Sequence, residues 1–154
     1  MGYGQKSSLS ENIYIIRRRA EAFVHGLAYY ICRIFPIDKS KIVMWTFEGN
    51  GGYGCSPKYV AEELLKRNRK NGTKHKIIWL VNDDSKKFPK GIRKVKNTLW
   101  NRAYHLSTAG IWVGNTRTAY GTKKRKGQCY IQTWHATLCI KPIGKYRGNL
   151  FPQM

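Results

Sequence analysis

Acidic residues are scarce in this 154-residue sequence, and its second half has none. The chain contains 29 Lys and Arg but only 8 Asp and Glu, for a formal net charge of +21, and residues 85–154 hold 15 basic residues and no carboxylate. That half therefore cannot supply the carboxylate pair of a glycoside hydrolase or a carboxylate-rich metal site. It can attract phosphate groups, a nucleic acid or an anionic membrane surface.

Long hydrophobic runs and paired cysteines are missing too. The longest uncharged run near the start, residues 22–32, is well short of the ~20 apolar residues that cross a bilayer. The four cysteines show neither a CxxC pair nor zinc spacing with the histidines, which favours reduced thiols in a cytoplasmic protein and no metal site. The first 12 residues lack the pattern of a cleaved signal peptide.

The remaining composition indicates a folded basic domain. Apolar residues make up 42% of the chain and aromatic residues 13%, which is too hydrophobic for a disordered polycation. The length suits one domain with a real core and leaves no room for a second of full size.

Residues 13–35 are predicted to form one amphipathic helix that ends before Pro36. Apolar residues recur there at steps of three and four, and four arginines flank them. The apolar positions are Ile13, Ile16, Ala20, Phe23, Leu27, Ile31 and Ile34. Two interpretations stay open and do not exclude each other: the helix packs on the domain core, and it lies in a membrane interface with its arginines on anionic lipid.

Strands and helices are predicted to alternate after that helix. Short strands rich in Ile, Val and Trp are predicted at 41–47, 76–81, 92–95, 110–114 and 129–134, with helices at 57–67 and 98–108. Ser56 is the expected N-cap of the first of these helices, whose residues Tyr59, Val60, Leu64 and Leu65 are expected to face the sheet. The pattern predicts an α/β fold with a Rossmann-like open parallel sheet.

Ligands of such sheets bind beyond the carboxyl ends of the strands, where three segments of interest fall. The first holds a GxGxxG pattern formed by Gly49, Gly51 and Gly54 between a strand and a helix. A dinucleotide site also needs an acidic residue about 20 positions further on. The nearest match at a strand end, Asp83, lies 29 positions beyond Gly54, so the pattern is weak evidence for a nucleotide cofactor, and we expect none.

The other two segments contain Asn115 with Arg117, and His135. A histidine just past a strand can accept a proton from an attacking hydroxyl at neutral pH, although a histidine beside Trp134 is also typical of a packed structural residue. Thr137 and Lys141 follow it and offer a hydroxyl and a positive charge to a bound phosphate.

Five stretches, in order, resemble a known family. Residues 47–64 are similar to its strand–GxGYGxNPKYI–helix segment, and residues 130–141 to its YIQTWHG element; residues 78–82, 88–96 and 106–117 lie between them in the family order. Together they resemble the N-terminal half of the CDP-glycerol glycerophosphotransferases, which act in teichoic-acid and related polysaccharide synthesis. The resemblance runs from about residue 36 to residue 145.

The resemblance implies one half of a glycosyltransferase-B-like fold, with the active site between two Rossmann-like halves. Such enzymes transfer glycerol phosphate from CDP-glycerol, or ribitol phosphate from CDP-ribitol, to a hydroxyl of a lipid-linked acceptor. They work peripherally at the cytoplasmic face of the membrane. The resemblance makes His135 the catalytic base, and we expect Gly51, Gly54, Asn115, Arg117, Thr137 and Lys141 to bind substrate.

We therefore expect a tail with a membrane-surface helix at residues 1–36, an acceptor-side Rossmann-like domain at 37–146 and a truncated tail at 147–154. The half with most of the nucleotide contacts is absent from these residues, so we expect the chain alone to be inactive. The net charge leaves two rival functions open: a nucleic-acid-binding basic domain and a non-catalytic membrane-surface module.

Overall fold

The computed structural model of the protein describes residues 9–118 and 121–135. Its elements are α1 (Leu9–Ile31), β1 (Asp38–Trp45), α2 (Cys55–Asn71), β2 (Lys76–Val81), β3 (Ile92–Lys96), α3 (Leu99–Thr108), β4 (Ala109–Gly114) and β5 (Cys129–Gln132). The five strands form one sheet in the order β3-β2-β1-β4-β5, and every neighbouring pair is parallel. The predicted open parallel sheet is confirmed.

The sheet is covered on both faces, which explains why its central strands are apolar at successive positions. One face packs with α1 and α3 around Trp45, Leu80 and Trp112. The other packs with α2 around Met44 and Trp79. Because both faces are buried, the side chains that remain accessible at the sheet lie at its strand ends and edges.

The long first helix is present, but its apolar stripe does not pack on the core. Ala28 and Tyr29 of α1 are buried, as is Cys32 in the short 3-10 turn that follows, and α1 contacts α3 and that turn. The stripe faces outward: the exposed fraction is 59% at Ile13, 66% at Ile16, 72% at Phe23, 51% at Leu27, 47% at Ile31 and 78% at Ile34. The helix therefore packs on the domain core, as the first interpretation expects, but it does so through Ala28 and Tyr29 and not through its apolar stripe.

Two local expectations for α2 were also wrong. The helix begins at Cys55, with Gly54 as its N-cap, so Ser56 lies inside the first turn. Tyr59 is 67% exposed, whereas Val60, Leu64 and Leu65 pack against the core as expected. Helical geometry explains this: Tyr59 lies two residues, about 200° of rotation, from the buried Ala61.

Candidate active site

The backbone turns sharply where β1 ends, at Phe47 and Glu48. Both residues adopt left-handed conformations, with φ of 46° and 56°. Consecutive non-glycine residues in this region are unusual, and such backbones persist where surrounding contacts fix them. These contacts come from the ends of the neighbouring strands.

Residues that follow β4 hold this turn from one side. The backbone N–H of Phe47 donates to Oδ1 of Asn115 at 2.8 Å, and the N–H of Glu48 donates to Oγ1 of Thr116 at 3.2 Å. Both donors are thereby satisfied by side chains at the carboxyl end of β4.

Asparagines that follow β2 and β3 hold the turn from the other side. The carbonyl of Glu48 accepts hydrogen bonds from Nδ2 of Asn82 at 3.2 Å and from Nδ2 of Asn97 at 2.9 Å. Asn97 also donates to Oδ1 of Asn82, and Nε of Arg102 donates to Oδ1 of Asn97, both at 2.9 Å. The ends of β2 and β3 are thus joined to the turn after β1.

His135 reaches the same place from β5. The N–H of Thr133 donates to the carbonyl of Gly114 at 2.8 Å, and the left-handed Trp134, with a φ of 55°, then turns the chain. Nδ1 of His135 lies 2.9 Å from the carbonyl oxygen of Asn115. The imidazole also packs edge to face on the ring of Phe47, with the centroids 5.1 Å apart. His135 is exposed.

This hydrogen bond fixes the tautomer of the neutral imidazole. A carbonyl oxygen only accepts, so Nδ1 of His135 must carry the proton and donate it to Asn115. Nε2 then has a free lone pair. The arrangement can therefore accept a proton from a hydroxyl group.

Glycines of the GxGxxG pattern leave space for the protein's own side chains. A Cβ at Gly49, whose φ is 96°, would lie 2.8 Å from both Asn82 and Asn97. A Cβ at Gly51 would lie 2.5 Å from the ring of Phe47. These two glycines thus let the asparagines and Phe47 reach their positions at the strand ends.

The other predicted substrate-binding residues are less closely assembled. Gly54 is in the extended region at the start of α2, with a φ of −161°. Arg117 follows Thr116 and is half-buried; burial raises the pKa of Tyr130 to about 12, and the charge of Arg117 opposes that rise. Thr137 and Lys141 lie outside the described residues. Of the predicted set, the structure brings Gly51, Asn115 and His135 together around Phe47.

Sequence reasoning missed Phe47, Glu48, Thr116 and the two asparagines Asn82 and Asn97. A usable signal existed, because β2, β3 and β4 are each followed immediately by asparagine. Because the carboxyl ends of parallel strands lie at the same edge of the sheet, these amides flank the end of β1 from both sides.

The described part of the chain offers neither a cluster of metal ligands nor a membrane-spanning helix. Residues 9–118 and 121–135 contain no group of three or more His, Cys, Asp or Glu side chains placed to hold a metal ion. The helices described in these ranges are too short or too polar to span a bilayer.

Comparison with known proteins finds relatives in both sequence and structure. Teichoic acid poly(glycerol phosphate) polymerase of Staphylococcus epidermidis is 30% identical over 128 residues, and the chain spans 17% of its length. The polymerase of the same name from Bacillus spizizenii is 22% identical over 129 residues, with 31% of its length spanned.

Solved structures of the wall teichoic acid polymerase TagF have the same fold. A histidine-to-alanine variant matches 85% of this chain and 33% of its own, with a TM-score of 0.61 and 26% identity. A histidine-to-asparagine variant soaked with CDPG for 15 minutes matches 86% of this chain and 33% of its own, with a TM-score of 0.60 and 25% identity. The expected fold, a Rossmann-like half of a glycosyltransferase-B-like enzyme, is confirmed.

The family profile supplies the identification. The profile described as CDP-Glycerol:Poly(glycerophosphate) glycerophosphotransferase matches residues 27–149, which include the whole sheet and His135. With the relatives above, this match confirms the family that the sequence resembles. The chain belongs to the CDP-glycerol:poly(glycerophosphate) glycerophosphotransferases, a family of transferases in teichoic acid synthesis.

Proposed function

We propose that this chain forms the acceptor-side half of a glycerophosphotransferase and that His135 is its general base. The observation that carries the proposal is the hydrogen bond from Nδ1 of His135 to the carbonyl of Asn115, which leaves Nε2 free on an exposed ring. A base needs this combination of an accessible lone pair and a fixed orientation. The ring also lies at the carboxyl edge, where open α/β sheets bind their ligands.

The reaction is a displacement at phosphorus with CDP-glycerol as the donor. The acceptor hydroxyl loses its proton to Nε2 of His135 while its oxygen forms a bond to the phosphorus that carries glycerol. The bond from that phosphorus to the CMP oxygen breaks, and CMP leaves with the electron pair. Such transfers depend mainly on positioning and on charge around the phosphoryl oxygens.

Positive charge for those oxygens is available on this chain. Arg117 follows the residues that hold the Phe47 turn, and residues 85–154 contain basic residues without any carboxylate. We assign Arg117, with Lys141 from the sequence, to the phosphate groups, and Thr137 with the loop of Gly51 and Gly54 to the rest of the substrate. An anionic acceptor suits this charge.

The acceptor is a lipid-linked polyol phosphate or saccharide, and the chain binds the cytoplasmic face of the membrane peripherally through α1. The support is the outward-facing apolar stripe, together with arginines on the same helix. An amphipathic helix of this kind lies in the interface with its apolar residues below the headgroups. Each buried Leu, Ile or Phe side chain contributes about 1.5–3 kcal/mol of transfer free energy.

A release assay tests the catalytic assignment. The chain is assayed together with a donor half, joined to it or added separately, and CMP release from CDP-glycerol is followed with a glycerol phosphate acceptor. We expect His135→Gln to lower the rate by about 10²–10⁴-fold. His75→Gln is the matched control, because His75 lies in the loop before β2, at the amino ends of the strands and away from His135. Equal rates for the two variants would remove His135 from the base role.

A further inference from the structure

We infer that Asn115 is the positioning residue of His135, because its backbone carbonyl holds the imidazole while its side chain holds the aromatic ring against which that imidazole packs. This inference rests on the proposed function, in which His135 is the base. It gives Asn115 a task that differs from direct contact with substrate.

The first contact acts on the tautomer. The carbonyl of Asn115 accepts the Nδ1 proton of His135 at 2.9 Å, so Nε2 is the nitrogen without a proton. The position of this carbonyl is well fixed, since the preceding Gly114 pairs with Trp45 of β1 and with Gln132 of β5. The strand pairing on both sides of Gly114 therefore defines where the imidazole is held.

The second contact acts on the ring orientation. Oδ1 of Asn115 accepts the backbone N–H of Phe47 at 2.8 Å, and the Phe47 ring meets the His135 ring at an interplanar angle of 61°. Since a backbone N–H only donates, the atom of Asn115 that faces it must be the oxygen. Phe47 is left-handed and begins a strained turn, so this hydrogen bond helps to hold its backbone, and with it its ring, in place.

The burial of Asn115 makes the arrangement specific. Its exposed fraction is 0%, and within the described part of the chain its Nδ2 has no hydrogen-bond partner. The side chain of Asn115 is therefore oriented by one hydrogen bond, which it accepts from the Phe47 N–H. An apolar residue of similar size would fill the space but leave the Phe47 N–H without its acceptor.

Nitrogen-15 NMR of the imidazoles in this chain tests the inference without any catalytic activity. In the unmodified chain near pH 8, we expect the His135 nitrogens to report the Nδ1–H tautomer. Asn115→Ala keeps the backbone carbonyl but removes the acceptor of the Phe47 N–H, so the Phe47 ring no longer holds the imidazole in place, and the ratio of Nδ1–H to Nε2–H at His135 should fall by about three- to tenfold. Asn115→Asp retains an acceptor oxygen for the Phe47 N–H and should restore the tautomer ratio.

The matched control is Asn68→Ala. Asn68 also holds backbone beside a histidine, because its Oδ1 accepts from the N–H of His75 at 3.0 Å and its Nδ2 donates to the carbonyl of His75 at 2.9 Å. We expect it to leave the His135 signals unchanged. Should Asn115→Ala fail to fold, Phe47→Leu decides, since Phe47 is 38% exposed and its loss removes the ring contact.

Three results would overturn the inference: an Nε2–H tautomer in the unmodified chain, unchanged His135 signals in folded Asn115→Ala, or unchanged signals in Phe47→Leu where that variant decides. The proposed function fails separately. If His135→Gln still releases CMP while the NMR results are as expected, Asn115 positions a histidine that is not the base.

Discussion

The backbone of Gly121 packs directly on that of Gly26 in α1. A Cβ at Gly121 would lie 2.3 Å from the carbonyl oxygen of Ala22 and 3.2 Å from the Cα of Gly26. Arg33 adds a hydrogen bond of 3.0 Å to the carbonyl of Lys123 in the same loop. The first helix is thereby fastened to the segment that leads into β5 and His135.

We expect Gly121→Ala to destabilise the protein through backbone strain and through overpacking. Gly72→Ala separates these two causes. Both glycines have positive φ, 79° and 66°, but a Cβ at Gly72 meets nothing within 4 Å. Gly72→Ala should therefore cost about 1 kcal/mol of unfolding free energy from backbone strain, and Gly121→Ala about 1–3 kcal/mol more from overpacking. Urea denaturation measures both. Equal losses would show that the loop yields freely and that the close packing contributes nothing.

Acid should destabilise the protein through His105, which is buried in α3. Burial, with the charges of Lys41 and Arg93, lowers the pKa of His105 to about 4 from its ordinary 6.5. Between these values the folded state binds fewer protons than the unfolded state, so the free energy of unfolding falls as the pH drops from 6.5 to 4.

Denaturation curves across that range test the contribution of His105. We expect a shallower pH dependence in His105→Gln than in the unmodified protein. Asp38, whose hydrogen bonds to Lys76 and Ser40 lower its pKa to about 2, acts in a separate window, mainly below pH 4. Parallel curves between pH 6.5 and 4 would contradict the assignment.

Lys41 is a buried ammonium group at the opposite edge of the sheet from His135. Its Nζ donates to Oγ1 of Thr108 at 2.6 Å, and burial lowers its pKa to about 8. Replacing it with an apolar side chain of similar shape removes the cost of burying the charge, so we expect Lys41→Met to stabilise the protein at pH 7 by about 1–3 kcal/mol.

The pH dependence of stability tests whether the gain in Lys41→Met comes from removing a buried charge. The unfolded state binds more protons between pH 8 and 10.5, so the stability contributed by neutral Lys41 rises with pH, and the advantage of Lys41→Met should shrink by pH 10. Lys39→Met is the control, since Lys39 is an exposed neighbour in β1. Loss of stability in Lys41→Met at pH 7 would mean that the Thr108 contact outweighs the burial cost.

Membrane binding should depend on the outward stripe of α1. We expect Ile16→Glu and Phe23→Glu to reduce co-sedimentation with phosphatidylglycerol vesicles by about tenfold each, since each loses more than 1.4 kcal/mol of burial and adds a negative charge. Tyr59→Glu is the matched control, because Tyr59 is 67% exposed on α2. Equal loss in all three variants would indicate a charge effect alone and would remove the helix from the interfacial role.

Local patterns predicted the elements well because parallel strands buried on both faces have a strong signature. The run at Lys76–Val81 was predicted with the bounds the structure gives, and the N-cap Thr98 begins α3 with a hydrogen bond from the N–H of Asn101. The parallel topology also predicts that the segments of Asn115 and His135, which both follow strands, lie near each other at the carboxyl ends of the sheet.

Tertiary contacts decided what the sequence could not. The apolar stripe of α1 has the same periodicity whether it is buried or exposed, so only the structure shows that Tyr29 packs inward while Phe23 faces outward. Similarly, a substrate contact and a backbone contact both favour asparagine after a strand. The hydrogen bond from the Phe47 N–H to Oδ1 of Asn115 shows that the contact here is with the backbone. It depends on the left-handed turn at Phe47 and Glu48, which no local sequence pattern predicts.

The most direct test asks where substrate binds on this chain. Amide NMR spectra of the labelled protein are recorded during titration with CDP-glycerol and, separately, with glycerol 3-phosphate. We expect the largest shifts at Phe47, Glu48, Thr116, Arg117 and His135, and none around Lys41 at the other edge of the sheet. Shifts that centre on Lys41, or spectra unchanged at millimolar ligand, would contradict a substrate site at the carboxyl edge.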